Sequence, residues 1–332
     1  MTNILWCGAE DIDFMNALDP LLVAGSYDAS YARTGITGST GGVTIPQVVA
    51  LSVPFPGGPV TSCWLHFRST ANTTATVETR MVGLTKATKT AGEGLWLKVD
   101  NPRTKIALCT WDGTTAVELA TEAGGSIGAS SDPYTIDMNL VDYGAAATVT
   151  VYVDGVQALT FTGDVRIASL TSVDTVALFG DSGSSKVVFS ELIVADDDTR
   201  DMRLATLVPA STGDTTFTGN HTTIDDSALN LEDSAFANVN DAAMLVGLGS
   251  LPAGSLSVKA LHIVARAAKS SGSTPTKLAL GVKSGTVDDG TGQTLLAAHK
   301  TYTRLMNVNP VTSAAWTRAQ VNAMNVQLKA LA

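Results

Sequence analysis

The clearest alternation of apolar and polar positions lies in residues 147–161. Valine occupies positions 149, 151 and 153, and Thr150 and Tyr152 stand between them. A period of two is typical of a β-strand with one face in a core and the other against solvent or a partner. Asp154-Gly155 follows, a dipeptide that readily adopts the positive φ angles of a tight turn, and a second strand-like run comes after it. The pattern therefore predicts an antiparallel β-hairpin.

Similar short runs, separated by turn residues, predict further strands through the first 206 residues. They span residues 4–7, 44–53, 62–68, 75–82, 95–99, 105–111, 134–141, 175–179 and 186–194. No convincing helical period interrupts them. The spacing therefore favours an all-β, antiparallel two-sheet sandwich over alternating strands and helices.

An acidic run at residues 196–201 ends the last of these strands, and a connector precedes a stretch of polar turn residues. We place the boundary there, with a first domain at residues 1–206 and a second at residues 207–332. Strand-like runs at 242–248, 255–268 and 277–282 predict a smaller β domain in the second region.

The carboxyl end shows a helical period instead. Val321, Met324, Leu328 and Leu331 would share one face of a helix. Thr317 and Gln320 have the spacing of a capping box, in which the hydroxyl accepts from a free backbone amide and the glutamine side chain reaches back. The pattern predicts a helix over 317–331 that docks on its own domain or on a neighbouring subunit.

Charge and composition narrow the function classes. The 332 residues have a formal net charge of −10, and the 21 Lys and Arg are scattered, which disfavours binding to nucleic acid or to an anionic membrane. No segment approaches the ~18 uncharged apolar residues of a membrane span. The amino terminus lacks the basic segment of a signal peptide, so we expect the chain to stay in the cytoplasm or to leave it by another route. Cys7, Cys63 and Cys109 lack metal-type spacing and are expected to be buried, with an intersubunit disulfide as the alternative.

Three passages carry a resemblance to a known family. They are residues 4–14 followed by Tyr31-Ala-Arg, residues 149–161 followed by 186–196, and residues 199–207. Together they resemble structural proteins of tailed bacteriophages that carry a concanavalin A-like, laminin-G-like jelly roll. The second region is similar to the extra β domain of such proteins, which ends in a Trp-Thr-x-x-Gln-Val-Asn helix, here beginning at Trp316.

The resemblance implies a structural virion component, a capsid or tail decoration, fibre or minor tail protein that serves assembly or adhesion. Its expected partners are other virion proteins, further copies of the same chain and host surface carbohydrate. It would assemble in the host cytoplasm and be released by lysis. The chain is then expected not to be an enzyme and to need no cofactor.

The enzyme alternative is a carbohydrate-active hydrolase, or depolymerase, on the same fold. Retaining hydrolases need two carboxylates about 5 Å apart. Asp11 and Asp13 alternate near a strand and could share a face, although the run lacks the Glu-x-Asp-x-x-Glu order of sandwich hydrolases. A solvated turn or an N-terminal subunit contact is the other explanation for these acids.

Acidic residues at 196–198 and Asp201 could supply oxygen ligands for calcium. Arg200 and Arg203 stand close enough in sequence to pair with these acids instead. Asp288 and Asp289 form a turn sequence that needs no ion.

The remaining candidate residues do not form a recognised motif. His66, His221, His262 and His299 are far apart, and residues 35–42 are glycine-rich but lead into a strand rather than a helix. Trp64 and Trp96 are expected in the core, and Trp111 is the best candidate for a ring that stacks on sugar, with a core position as its alternative. The sequence therefore assigns no catalytic, cofactor-binding or metal-binding residue.

Overall fold

A computed structural model describes residues 2–8, 43–45, 50–71, 79–88, 92–99, 104–127, 133–167, 170–179, 187–225, 233–272 and 274–332. The chain divides into two compact units, Met1–Leu204 and Ala205–Ala332, which are described separately below. Among the described residues, no helix is long and apolar enough to cross a membrane.

The described part of the first unit is built from strands. In chain order they are β1 (Ile4–Gly8), β2 (Val43–Ile45), β3 (Ala50–Pro54), β4 (Cys63–Ala71), β5 (Thr79–Thr85), β6 (Gly94–Val99), β7 (Ile106–Trp111), β8 (Ala116–Thr121), β9 (Tyr134–Val141), β10 (Ala147–Val153), β11 (Val156–Gly163), β12 (Thr175–Phe179) and β13 (Val187–Ala195).

These strands form two antiparallel sheets with an apolar core between them. The first sheet has the order β1-β13-β4-β9-β10-β11, with β2 also paired to β13, and the second has the order β3-β12-β5-β6-β7-β8. Alternate residues of the central strands point into the core, as Leu65 and Phe67 do on β4 and Ile136 and Met138 do on β9. The prediction of an all-β, two-sheet antiparallel sandwich is confirmed.

The hairpin at residues 147–161 is also confirmed. β10 pairs with β11 from Ala147↔Gly163 to Val153↔Val156. Asp154 and Gly155 make the turn with φ angles of 49° and 79°, a region that glycine enters freely and aspartate tolerates. The dipeptide therefore supplies the geometry that its sequence predicts.

The prediction of one strand over residues 44–53 is wrong. Val43–Ile45 pairs with β13 in the first sheet, whereas Ala50–Pro54 pairs with β12 in the second. The two ends of the predicted run therefore belong to different sheets, and residues 46–49 between them lie outside the described residues. Local composition does not show this division because both halves are rich in β-forming residues.

The second unit contains the remaining strands. They are β14 (Pro209–Thr215), β15 (Ala243–Leu248), β16 (Leu261–Ala267), β17 (Lys277–Ser284), β18 (Thr286–Asp288), β19 (Gln293–Thr294), β20 (Lys300–Met306) and β21 (Asn325–Leu331). One sheet has the order β14-β15-β21-β17-β18, with β19 also paired to β17, and β16 pairs with β20. A short 3-10 helix lies at His221–Thr223, and helix α1 spans Arg318–Ala323. Met244, Leu280, Tyr302, Trp316 and Val326 belong to the core of this unit.

The C-terminal helix exists, but its predicted extent is wrong. It ends at Ala323, and Asn325–Leu331 forms β21 instead of continuing to residue 331. This strand lies between β15 and β17 and pairs with both of them. Backbone hydrogen bonds on two sides, together with burial of Val326 and Ala330, outweigh the local helical pattern.

The predicted capping box is present, and it provides a test of the start of α1. Thr317 Oγ1 accepts a hydrogen bond from Gln320 N, and the Gln320 side chain accepts one from Thr317 N. We expect Thr317→Ala to lower the free energy of unfolding of the second unit by about 1 kcal/mol, because the Gln320 backbone N–H loses the side-chain oxygen that accepts from it. Urea unfolding would measure this loss. Thr317→Ser is the matched control and should retain most of the stability, whereas an equal loss in both variants would contradict the capping role.

The three cysteines are buried and form no disulfide within the chain. Burial raises the pKa of the Cys63 thiol to about 12, because the low-dielectric core disfavours the thiolate. This thiol is therefore protonated and unreactive at neutral pH.

Candidate functional site

A row of polar and aromatic side chains lies on the outward face of the first sheet. His66 on β4 is opposite Asp137 on β9, which is opposite Tyr152 on β10. Their strand neighbours Leu65, Ile136 and Val151 point into the core, so these three side chains point away from it. We call this surface the outer face.

His66 and Asp137 form a buried hydrogen-bonded pair on the outer face. His66 Nδ1 lies 2.8 Å from Asp137 Oδ1, and each side chain is 1% exposed. The Thr199 hydroxyl donates to the same Asp137 oxygen at 2.7 Å. Within the described residues, Asp137 Oδ2 and His66 Nε2 are buried without a hydrogen-bond partner. Such orphaned groups are rare in folded proteins and mark a place where a ligand donor or acceptor would be stabilised.

Residues 196–204 cover this pair by crossing the outer face. Thr199, which is fully buried, contacts Asp137 on β9. The segment then returns toward β13, where Arg203 Nε donates to Glu191 Oε2 at 2.5 Å. Glu191 has a φ of 51° at an irregularity in the pairing of β13, and it also pairs with Arg68 at 3.4 Å. A bulge of this kind redirects a side chain out of the regular alternation, and here it holds one end of the segment.

Arg200, in the middle of this segment, lies over two aromatic rings. Its guanidinium carbon is 4.6 Å from the centre of the Tyr152 ring and 5.6 Å from that of Trp64. The two rings stack with centroids 5.9 Å apart and an interplanar angle of 18°. Arg200 also pairs with Asp198 through Nε and Nη2. The contacts combine a charge-assisted fork with a cation–π interaction and hold the guanidinium in one place.

The ion pair with Arg200 lowers the pKa of Asp198 and raises that of Arg200. Because the folded-state pKa of Asp198 is depressed, its contribution to stability is present above the unfolded-state value of about 4 and is lost as the pH falls through the folded value. We expect Arg200 to leave the rings on acidification below about pH 4. The ring resonances of Tyr152 in an NMR titration would report this change.

Asp198→Asn should remove the acid transition at Tyr152. Asp112→Asn is the matched control, since the pKa of Asp112 is also lowered, but by hydrogen bonds from Thr115 and Thr114 in its own turn. A Tyr152 transition that persists in Asp198→Asn would show that another group controls the position of Arg200.

An open cavity of about 610 Å³ lies beside Arg200. Its lining consists of Thr135, Asp137, Asp154, Gly155, Asp198, Arg200 and Asp201. The hairpin turn is attached to β9 next to it, because Asp154 Oδ1 accepts from Thr135 N at 2.8 Å and Asp154 N donates to Thr135 O at 2.9 Å. We call this feature the Asp137 cavity. The start of β9, the β10–β11 turn and the crossing segment together form its walls.

The acidic residues considered for calcium are directed to different partners. Asp196 accepts from the backbone and side chain of Asn3, Asp197 accepts from Thr2, and Asp198 pairs with Arg200. In the described part of the chain, no three His, Cys, Asp or Glu side chains converge to hold a metal. The alternative that Arg200 and Arg203 pair with these acids therefore holds for Arg200, which pairs with Asp198. Arg203 pairs with Glu191 instead of an acid of this run.

Several other predicted residues fall in different places. Trp64 lies half-buried on the outer face, so the prediction that it lies in the core is wrong. Side chains on β4 point alternately to the two faces of the sheet, and those of Cys63 and Leu65 point into the core. Trp96 is fully buried and packs with Cys109, Ala177 and Trp111 in a cluster separate from the main core. A side chain at Gly83 would collide with the Trp96 ring, so this close approach requires glycine. Asp11, Asp13, Tyr31 and residues 35–42 lie outside the described residues.

Asp137 is the functional candidate that the sequence-based reasoning missed. Its only local signal is an acidic residue between Ile136 and Met138 in an otherwise strand-like run. A charged residue in the middle of a strand can simply face solvent. Recognising its burial requires knowing that residues 196–204 return across it.

Comparison with known proteins gives fold-level similarity at low identity. No protein-family model matches the sequence, and none of the curated proteins does. Similar solved structures include alginate lyase Aly36B, with 12% identity, coverage of 62% of this chain and 98% of the lyase, and a TM-score of 0.39. An endo-β-1,4-glucuronan lyase from the fungus Trichoderma reesei has 9% identity, coverages of 50% and 85%, and a TM-score of 0.37. The carbohydrate-binding module CBM66 from Bacillus subtilis has 12% identity, coverages of 45% and 83%, and a TM-score of 0.33.

These matches overturn one expectation. The prediction that the chain is not an enzyme is contradicted, because two of the similar structures are polysaccharide lyases. At these identities and TM-scores, the similarity carries no argument about a particular activity of this chain. None of these three similar structures is of a virion protein, so the phage assignment stays a prediction from the sequence.

Proposed function

We propose that the first unit binds carbohydrate at the Asp137 cavity. The observation that carries this proposal is a buried carboxylate that lines an open cavity and retains an oxygen without a partner among the described residues. An ionised carboxylate only accepts hydrogen bonds. The acceptors of this lining suit a ligand rich in hydroxyl donors, as a sugar is.

The rest of the cavity has the same chemical character. Asp154, Asp198 and Asp201 add further acceptors, and Thr135 adds a hydroxyl that can donate or accept. The volume of about 610 Å³ falls within the range of about 300–1,000 Å³ that is common for small-molecule sites. Trp64 and Tyr152 lie beneath the guanidinium of Arg200, which lines the cavity, but neither ring belongs to the lining itself.

The test is to titrate the full chain with neutral, amino and uronic oligosaccharides while recording backbone amide NMR spectra. We expect saturable shifts at Thr135, at Gly155 and across residues 198–201. Shifts confined to the second unit would contradict this location, and the absence of binding to every oligosaccharide class would reject the proposal.

Polysaccharide cleavage at the same cavity is the second candidate function. The favouring observation is that Asp154, Asp198 and Asp201 line one cavity, since paired carboxylates perform general acid and base chemistry in glycoside hydrolysis. Incubation with polysaccharides, followed by assays for new reducing ends and for unsaturated uronate ends, separates hydrolysis from elimination. Activity that survives Asp201→Asn and Asp198→Asn would exclude these carboxylates as its source.

The virion role predicted from the sequence extends the binding proposal. Many copies on one particle would convert weak contacts with host surface glycans into strong attachment. This role requires self-association or attachment to other virion proteins. Size exclusion with light scattering tests it: a discrete trimer or larger ring supports the role, and a monodisperse monomer with no affinity for virion components contradicts it.

A further inference from the structure

The lining of the Asp137 cavity is strongly acidic. Four acidic residues, Asp137, Asp154, Asp198 and Asp201, line it together with one basic residue, Arg200. With all five groups ionised, the lining carries a net charge of −3. The whole chain has the same sign, with a formal net charge of −10. An anionic ligand would therefore meet repulsion both at long range and inside the cavity.

Arg200 does not offset this charge for an incoming anion. Its guanidinium already forms a two-point ion pair with Asp198 and lies over the Tyr152 and Trp64 rings. A uronate carboxylate would have to compete with Asp198 for the same donors. Asp154 and Asp201 have no cationic side chain beside them in the cavity lining, and Asp137 is hydrogen-bonded to His66, which lies outside that lining.

Asp137 adds an independent observation that points to a donor ligand. Its side chain is 1% exposed, its Oδ1 already accepts from Thr199, and the structure describes no partner for its Oδ2. A hydrogen bond to a charged group contributes more than one between neutral groups, and the gain is larger where water is excluded. A positive charge held in the cavity is therefore favoured by the nearby Asp137 carboxylate, whose unpartnered Oδ2 has almost no accessible surface of its own.

We infer that the Asp137 cavity recognises the protonated amine of an amino sugar and discriminates against uronate sugars. This inference rests on the proposed carbohydrate binding and names the class of ligand. An ammonium group needs only one or two carboxylates near it, and the sugar hydroxyls can reach the others. A calcium ion would need about six to eight oxygens around one point, whereas no three acidic or histidine side chains converge in the described residues.

The experiment compares three oligosaccharides of equal length by calorimetric titration of the full chain near pH 6. These are a glucosamine oligomer, its N-acetylated counterpart, and an oligouronate. We expect the glucosamine oligomer to bind at least about tenfold more tightly than the N-acetylated form, and its affinity to fall with added salt. The oligouronate should bind more weakly than either.

Two outcomes separate this inference from the proposal beneath it. Equal or tighter binding of the N-acetylated oligomer or the oligouronate, with NMR shifts at the cavity, would overturn the amine preference and leave carbohydrate binding intact. No binding of any of the three would reject both.

Charge-removing variants provide a second readout. Asp201 is exposed and lines the cavity. Asp201→Asn should reduce the preference for glucosamine over its N-acetylated form several-fold. Asp142→Asn is the matched control, because it removes the same charge at an exposed position just past the end of β9, about 17 Å along the chain direction from Asp137. A preference that is unchanged in Asp201→Asn, or reduced equally by both variants, would show that the cavity carboxylates do not select the amine.

Discussion

Replacing Asp137 by alanine is expected to lower the free energy of unfolding of the first unit by about 3 kcal/mol. The carboxylate accepts from both His66 Nδ1 and Thr199 Oγ1, and all three side chains are buried. Removing it leaves two buried polar groups without their partner and frees residues 196–204 from the outer face. Urea unfolding measures the loss of stability, and amide hydrogen exchange across residues 196–204 measures the release of the segment.

Asn139→Ala is the matched control for this variant. Asn139 is the next outward-pointing residue on β9, and we expect its replacement to cost less than about 1 kcal/mol. A double variant with His66→Phe and Asp137→Leu should regain part of the stability, because replacing both members of the pair by apolar groups leaves only the buried Thr199 hydroxyl without its partner. If Asp137→Ala costs no more than Asn139→Ala, the buried pair does not hold the segment in place.

Replacing Phe67 by alanine is expected to lower the free energy of unfolding of the first unit by about 4 kcal/mol. Phe67 is fully buried between the two sheets and packs against Phe189 with ring centroids 6.0 Å apart. Its removal loses the transfer free energy of the ring and leaves a cavity that neighbouring strands cannot fill without breaking their pairing. Urea unfolding followed by circular dichroism measures the loss.

Phe236→Ala makes the same chemical change at an exposed site. Phe236 lies in the second unit and is 52% exposed, so we expect a change within about 0.5 kcal/mol. Because the two units have separate cores, Phe67→Ala should shift only the transition that belongs to the first unit. A shift of the whole unfolding curve, with a single transition, would show that the two units unfold together.

Most of the sandwich could be predicted because its strands carry local signals. The alternation at Val149–Val153 and the Asp154-Gly155 turn specify a hairpin without reference to any distant residue. Strand β8, Ala116–Thr121, was missed because most of its residues are exposed and it shows little apolar alternation. Its pairing with β7 places it at the edge of the second sheet, which a sequence pattern does not reveal.

The candidate site could be predicted only in pieces. The sequence predicts a turn at Asp154-Gly155, and it shows a cluster of acids at 196–198 and Asp201. Neither pattern indicates that the turn and the acids lie beside the same cavity. Asp137 and Thr199 are 62 residues apart and meet only because β13 brings the chain back beside β4, the strand that pairs with β9. Sequence spacing contains no information about a pair that depends on the order of strands in a sheet.

The sequence by itself determined the class of fold, the central hairpin and the start of helix α1, since the period of side chains, turn dihedral angles and capping bonds involve residues within a few positions of one another. Only the tertiary structure decided that Asn325–Leu331 is a strand and that Asp137 lies buried beneath residues 196–204. In both places the decisive hydrogen bonds come from partners far away in the chain, and their combined contribution exceeds the preferences of the local sequence.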